Sequence, residues 1–417
     1  MHALLTPIGS AGDVYPFLEI GRALEARGHE VTVFASATFE AAAARAGVRL
    51  VPTWSAEEFD AFTKSPDLWD ATRGPRRVVE AVRDLLERGY RQLAPYVEPG
   101  RTLLVGHTLA LATRILEDAE HLPAVTIHLA PSVFRSAYQQ PVLPPYRALP
   151  RMPAPVARLL WRAVDRFVID PAIAPAVNRL RAEVGLPPVT RLFKSWVHSP
   201  NSVLGLFPGW FAEPPSDWPP QLHLAGFVLS TDESGDPGDA LRAFLDAGPP
   251  PIAITPGSAN RHARPFFSAA VAAARRLGRR AVLVTPYDEQ VPAPLPHGML
   301  HVVAAPFSTL FPRCAAIIHH GGIGTSAQGL AAGIPQIVSP FSFDQPDNAS
   351  HLVRLGVGRV VIPSRFTAEI VASALSELFS SGRTAAACRQ YADAVRASDA
   401  LGVATRVIET AGAGLKP

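Results

Sequence analysis

Residues 319–326 read His319-His320-Gly321-Gly322-Ile323-Gly324-Thr325-Ser326 and lie between an apolar stretch and a helical one. Free backbone N–H groups and the dipole at a helix start favour an anion there. Glycines allow a diphosphate to approach the main chain closely. Thr325 and Ser326 add hydroxyl donors, and His320 can hydrogen-bond a phosphate oxygen while opposing its charge. No lysine follows the glycines, so the run is not a Walker A loop. A tight strand–helix turn with an incidental histidine has the same residues. Further on, Asp344-Gln345 and then Asn348 follow the next strand. A carboxylate that accepts beside an amide that donates and accepts suits a polyhydroxylated ligand, and an N-cap at the next helix fits the pair equally well. At the other end of the chain, Asp13 follows the turn Gly9-Ser10-Ala11-Gly12 after the first strand. A carboxylate in that place can serve as a general base or cap the helix that follows.

The elements that must position these groups alternate. Apolar runs at 3–8, 31–35, 102–106, 124–130, 252–255, 281–285 and 317–319 read as strands buried on both faces. Helical spacing separates them, as with Phe17, Ile20, Ala23 and Leu24 before Gly28. This βαβ rhythm predicts an α/β protein of two doubly wound, Rossmann-like domains facing across a cleft, with a helical tail. A length of 417 residues allows two or three domains. The 42 prolines and 30 glycines are too few for a disordered chain and punctuate folded elements instead. The polar stretch 230–250 reads as the linker between residues 1–229 and 251–395, and 396–417 as a C-terminal helix packing back on the first domain.

Composition excludes several classes. Basic and acidic side chains number 39 and 36, a net charge of +3, without a dense basic block, so no nucleic-acid partner is expected. The 2 cysteines lack metal-ligand or disulfide spacing, which fits a reducing cytoplasm and no metal centre. No apolar run approaches membrane-spanning length, and the first residues read as a strand without a signal peptide. An arginine-lined amphipathic stretch over 156–168 matches either a solvated helix or one resting on an acidic membrane surface.

Several spaced motifs then carry a resemblance. Pro306 after a strand, His320 to Thr325, Gly333-Ile334-Pro335, Pro340-Phe341 and Asp344-Gln345 with Asn348 resemble the donor-binding signature of family 1 nucleotide-sugar glycosyltransferases of the GT-B fold. Gly9 to Pro16 and Leu24 to Thr32 resemble the family's acceptor-side start. Within the family, Ile8–Val14, His198–Pro200, Leu206–Ala212 and Asp217–Pro219 look most like the rhamnosyltransferase B chain of bacterial rhamnolipid synthesis.

The resemblance implies roles residue by residue. His320, Gly322, Gly324 and Thr325 would hold the donor diphosphate, and Ser258 its β-phosphate. Asp344 and Gln345 would hold sugar hydroxyls, with Asn348 beside them. Asp13 would be the base of an inverting transfer that needs neither metal nor cofactor, the nucleotide sugar being a co-substrate. Ala304 stands where many relatives carry a base-stacking aromatic, so Val303, Ala304 and Ala305 are left to meet the nucleobase through the main chain, with Tyr287 as a substitute ring. Ser10, Gly12, His107 and Phe134 are acceptor-pocket candidates, joined by His128, Ser132 and the loop aromatics Trp54, Phe59, Trp69 and Tyr138.

The expected reaction moves L-rhamnose from dTDP-L-rhamnose to a hydroxyl of a lipid-like acceptor such as a hydroxyalkanoyloxyalkanoate. A sterol or natural-product glucosyltransferase using UDP- or dTDP-glucose is the alternative, and a non-catalytic nucleotide-sugar-binding activator a third. The arginine-lined stretch leads to an expected peripheral contact with the inner membrane face, and a partner acyltransferase subunit is expected beside the rhamnolipid resemblance.

Overall fold

The computed structural model describes residues 1–143, 152–230 and 238–415. Most of the expected linker's polar segment, 231–237, and part of the proline-rich run, 144–151, lie outside the described residues.

Two parallel sheets organise the chain. The first holds β1 (His2–Thr6), β2 (Glu30–Ser36), β3 (Arg49–Trp54), β4 (Thr102–His107), β5 (Ala124–His128), β6 (Ser202–Gly205) and β7 (Leu222–Leu224), in the order β3-β2-β1-β4-β5-β6-β7. The second holds β8 (Ile252–Thr255), β9 (Ala281–Val284), β10 (Met299–Val302), β11 (Ala316–His319), β12 (Gln336–Val338) and β13 (Gly358–Val360), in the order β10-β9-β8-β11-β12-β13. The central strands are apolar because helices cover both faces: Ala3–Leu5 and Ile252–Ile254 are fully buried. These are two Rossmann-like α/β domains. In each sheet the strand order reverses once, between β1 and β4 and between β8 and β11. A crevice opens at such a point beyond the carboxyl ends of the strands, and that is where open α/β sheets bind ligands.

Helix Gly382–Arg396 packs under the second domain, where Gly333 takes a left-handed φ of 71° close to Cys388 and Ala392. Helix Ala400–Ala411 then returns to the first domain. Its Ala400, Ala404 and Ile408 join the core formed by Leu5, Phe17 and Val33. Glu409 accepts two hydrogen bonds from the Arg27 guanidinium, both at 2.7 Å, and lies 3.0 Å from His29 Nε2.

Other ties span the halves. The Asp347 carboxylate accepts from Val142 N–H at 2.9 Å, Arg354 donates to Phe211 O, and Arg261 pairs with Asp60.

Candidate active site

The two crevices open toward each other and enclose a cavity of about 710 Å3. Its walls carry Ser10, Gly12, Asp13 and His107 from the first domain, and Ser258, Val303–Ala305, His320, Gly322, Gly324, Thr325, Asp344 and Gln345 from the second. Four of these groups follow the central strands at the reversal points: Asp13 after β1, His107 at the end of β4, Ser258 after β8 and His320 after β11.

Asp13 is the third residue of helix Ala11–Glu25, whose N-cap is Ser10. Asp13 is therefore not the N-cap, but its carboxylate does cap the helix start as the N3 member of a capping box with Ser10. Its Oδ2 reaches back to accept from Ser10 N–H at 2.7 Å and from the Ser10 hydroxyl at 3.2 Å. Burial between the halves pushes its carboxyl up to about 7, and the negative charge of Asp344 across the cleft adds to the rise. The side chain is still a third exposed, toward the cavity.

On the facing wall, Gly322 caps helix Ile323–Ala332, so the first-turn N–H groups of this helix have no partner within it. His320 lies between two glycines. A Cβ at Gly257, where φ is +94°, would fall 2.8 Å from His320 Cε1, and one at Gly322 would overlap the ring. Burial pushes His320 down to about 4, and its Nδ1 has no hydrogen-bond partner among the described residues. Burial thus disfavours a charge on the ring, which can still offer a hydrogen bond. Ser258 is exposed on the turn after β8.

Asp344 precedes helix Gln345–Arg354, and its Oδ2 accepts from Asn348 Nδ2 at 2.6 Å. Burial pushes Asp344 up to about 6. Asn348 also donates to Gly321 O at 3.0 Å and is fully buried, so it braces the histidine loop from behind and does not line the cavity. Gln345 differs from expectation too. Its Oε1 accepts from Phe341 N–H at 2.8 Å and Ser342 N–H at 3.1 Å, leaving the amide N–H2 to face a ligand.

Free helix N–H groups, hydroxyls, an imidazole, an amide and two carboxylates thus face one cavity. Residues 280–410 match the C-terminal domain family of erythromycin biosynthesis protein CIII-like proteins. Over 429 aligned residues the chain is 30% identical to O-mycaminosyltylonolide 6-deoxyallosyltransferase of Streptomyces fradiae, covering 98% of this chain and 97% of that protein. The chain belongs to the family 1 GT-B glycosyltransferases. It is 28% identical to glycosyltransferase GtfE of Amycolatopsis orientalis over 86% of this chain and 85% of that one. In fold it resembles the kitacinnamycin glycosyltransferase, with a TM-score of 0.75 at 22% identity, covering 100% and 99% of the two chains. The spinosyn rhamnosyltransferase gives 0.69 at 20% identity, covering 98% and 100%.

Much of the rest of this glycosyltransferase's cavity is apolar. Trp54 ends β3, Phe59 sits on helix Ala56–Thr63 and Trp69 on a short 3-10 turn, so these aromatics belong to elements where the sequence suggested loops. All three line the cavity, together with Val78, Val82 and Leu85 of helix Arg73–Leu93, a wall that sequence reasoning missed. Phe134 is a correction: it is 2% exposed and stacks on Trp218 at 4.4 Å, because the core beyond β5 needed an aromatic plug. His128 is likewise buried, 2.7 Å from Thr108 Oγ1 and 2.9 Å from His198 Nδ1, whereas Ser132 lines the cavity. Tyr138 is exposed, away from the cavity.

At the nucleobase end, Tyr287 does not supply the missing ring. The Arg261 guanidinium lies 4.3 Å from its centroid, and its hydroxyl donates to Ser258 O at 3.3 Å. Phe307, directly after Pro306, lines the cavity instead and stacks on Phe311 at 4.4 Å. Its signal in the sequence was only its place beside the motif proline.

Proposed function

We propose that this chain is an inverting, metal-independent glycosyltransferase that moves a 6-deoxyhexose, with L-rhamnose as first choice, from a dTDP-sugar to a hydroxyl of an apolar acceptor. The observation that carries the reading is the pairing of Asp13 with the His320 loop across one cavity, flanked on the acceptor side by aromatic and aliphatic walls. Asp13 accepts the acceptor proton as the new C–O bond forms, and the diphosphate leaves with the electron pair of the old one. His320, the N–H groups at the start of helix Ile323–Ala332 and the Thr325 hydroxyl meet the charge that grows on the leaving group. Asp344 and the Gln345 amide hold sugar hydroxyls.

The deoxyhexose and the aglycone are supported by relatives. A 6-deoxyallosyltransferase shares 30% identity, and the spinosyn rhamnosyltransferase has been solved with thymidine diphosphate and with spinosyn aglycone. They favour a bulky natural-product aglycone over the lipid acceptor, for which the apolar walls are the support here. The partner acyltransferase rests on the rhamnolipid resemblance alone. The test is turnover with EDTA present, comparing dTDP-L-rhamnose with UDP-glucose on a macrolactone aglycone and on a hydroxyalkanoyloxyalkanoate. Efficient use of UDP-glucose alone would sink the sugar assignment, and loss of turnover in EDTA the metal independence. Donor binding with neither nucleotide release nor glycosylated product would leave the activator reading standing, and nucleotide diphosphate release with an acceptor present would reject it.

The base assignment has a pH signature. Asp13 must be ionised to accept a proton, and its carboxyl is pushed up to about 7. The acid limb of kcat/KM is therefore expected to bend near pH 7, with rates about tenfold lower at pH 6 than on the plateau. A profile flat from pH 5.5 to 8 contradicts Asp13 as base.

We further propose that the face of helix Ala154–Val164 and the turn after it rests on an anionic membrane. Leu159 is 68% exposed and Phe167 75%, with Arg158, Arg162 and Arg166 also on the surface. Among the described residues no helix is long and apolar enough to cross a membrane. Cosedimentation with phosphatidylglycerol vesicles, but not with phosphatidylcholine vesicles, is expected, and its loss in Leu159→Glu/Phe167→Glu. No binding to either vesicle rejects the contact.

A further inference from the structure

His107 closes β4 beside the turn that bears Asp13, since Gly106 is in register with Thr6 of the neighbouring strand β1. The imidazole lines the cavity but is only 8% exposed, and its orientation is fixed. Leu109 N–H donates to Nδ1 at 3.3 Å, and the Phe17 ring meets the imidazole edge-on at 6.3 Å and 72°. With Nδ1 accepting, the proton of the neutral ring sits on Nε2. Burial pushes His107 down to about 4, so it is a neutral donor and not a competing base.

Nε2 lies 3.9 Å from Asp13 Oδ1, beyond hydrogen-bond length. Both Ser10 donors fall on the other oxygen, Oδ2, which leaves Oδ1 without a donor among the described residues. An oxygen about 2.8 Å from each of two atoms so spaced would see them at roughly 90°. A hydroxyl can satisfy that angle by giving its hydrogen to Oδ1 and taking the Nε2 hydrogen on one lone pair. Its second lone pair stays free for attack.

We propose that His107 Nε2–H and Asp13 Oδ1 together seat the acceptor hydroxyl, so that His107 is a catalytic residue acting on the acceptor and not on the donor. The inference rests on Asp13 being the base. On reaction the hydroxyl hydrogen passes to Oδ1, the oxygen bonds the anomeric carbon, and the carbon–oxygen bond to the diphosphate breaks with its electron pair. The histidine keeps its proton throughout.

The test compares His107→Leu and His107→Gln in the full chain, varying the acceptor, and measures binding of free nucleotide diphosphate by titration. His107→Leu should lose about 30–100-fold in acceptor kcat/KM, while His107→Gln, which keeps an N–H donor, recovers to within about tenfold of wild type. Donor KM and the affinity for free nucleotide diphosphate should stay within about twofold in both. Wild-type acceptor kinetics in His107→Leu overturns the seat. So does a parallel fall in nucleotide diphosphate affinity with no recovery in His107→Gln, the pattern of a purely structural role. If Asp13→Asn is inactive while His107→Leu is unimpaired, the seat alone fails. If Asp13→Asn is active, the base reading fails with it.

Discussion

Asp13→Asn is expected to abolish sugar transfer, lowering kcat by about 10³-fold or more, while donor affinity stays close to wild type. An amide cannot accept the proton, yet its oxygen can still take the Ser10 N–H that holds this side chain at 2.7 Å. The loop and the helix start therefore keep their geometry. The same variant should be more stable than wild type at alkaline pH. The folded carboxyl is raised from 3.8 to about 7, so its favourable contribution is complete below pH 4 and is lost as pH climbs through 7. Undamped, that shift corresponds to about 4 kcal/mol, and contact with solvent in the cleft reduces it to roughly 1–2 kcal/mol. Thermal melts at pH 4 and pH 8 check this: the variant should gain on wild type only at the higher pH. An active Asp13→Asn removes the base, and a variant equally destabilised at both pH values removes the electrostatic account.

His320→Ala is expected to cost about 10²–10³-fold in kcat/KM for the donor and to weaken binding of free nucleotide diphosphate by tenfold or more. The ring fills the space left by Gly257 and Gly322, and a methyl group in its place leaves a polar void facing the diphosphate. The helix N–H groups remain, so the loss is partial where that of Asp13→Asn is complete. Gly257→Val should behave alike for a different reason, since its φ of +94° and the 2.8 Å approach to His320 Cε1 force the ring out of place. Nucleotide titrations followed by melting temperature read both variants. Affinity within twofold of wild type in His320→Ala would show that the histidine is not a diphosphate ligand.

The parallel sheets were legible because a strand covered on both faces has to be apolar throughout, as Ala3–Leu5 and Ile252–Ile254 are. Asp13, Ser258 and His320 could be found because each stands a few residues past such a strand, on or directly after a turn too short to place it elsewhere. Residues whose role depends on a partner distant in sequence were not legible. The oxygen of Gln345 reads as a sugar ligand until Phe341 and Ser342 N–H are seen to take it. Phe134 and Trp54 are both aromatics beside strands, and only packing sends one into the core and the other to the cavity. The 3.9 Å approach of His107 to Asp13 depends on the register between β1 and β4, which no local pattern encodes. The long helix Arg73–Leu93 was missed although its apolar residues recur at helical spacing, because charged residues, chiefly arginines, break up the apolar positions.

The most direct test of the account is the anomeric configuration of the product, read by NMR after incubating the protein with dTDP-L-rhamnose and an apolar hydroxyl acceptor. The account predicts stoichiometric release of dTDP and a glycoside whose anomeric centre is inverted relative to the donor. A product with retained configuration, or the absence of transfer with every nucleotide sugar offered, would contradict a one-step displacement between Asp13 and the His320 loop.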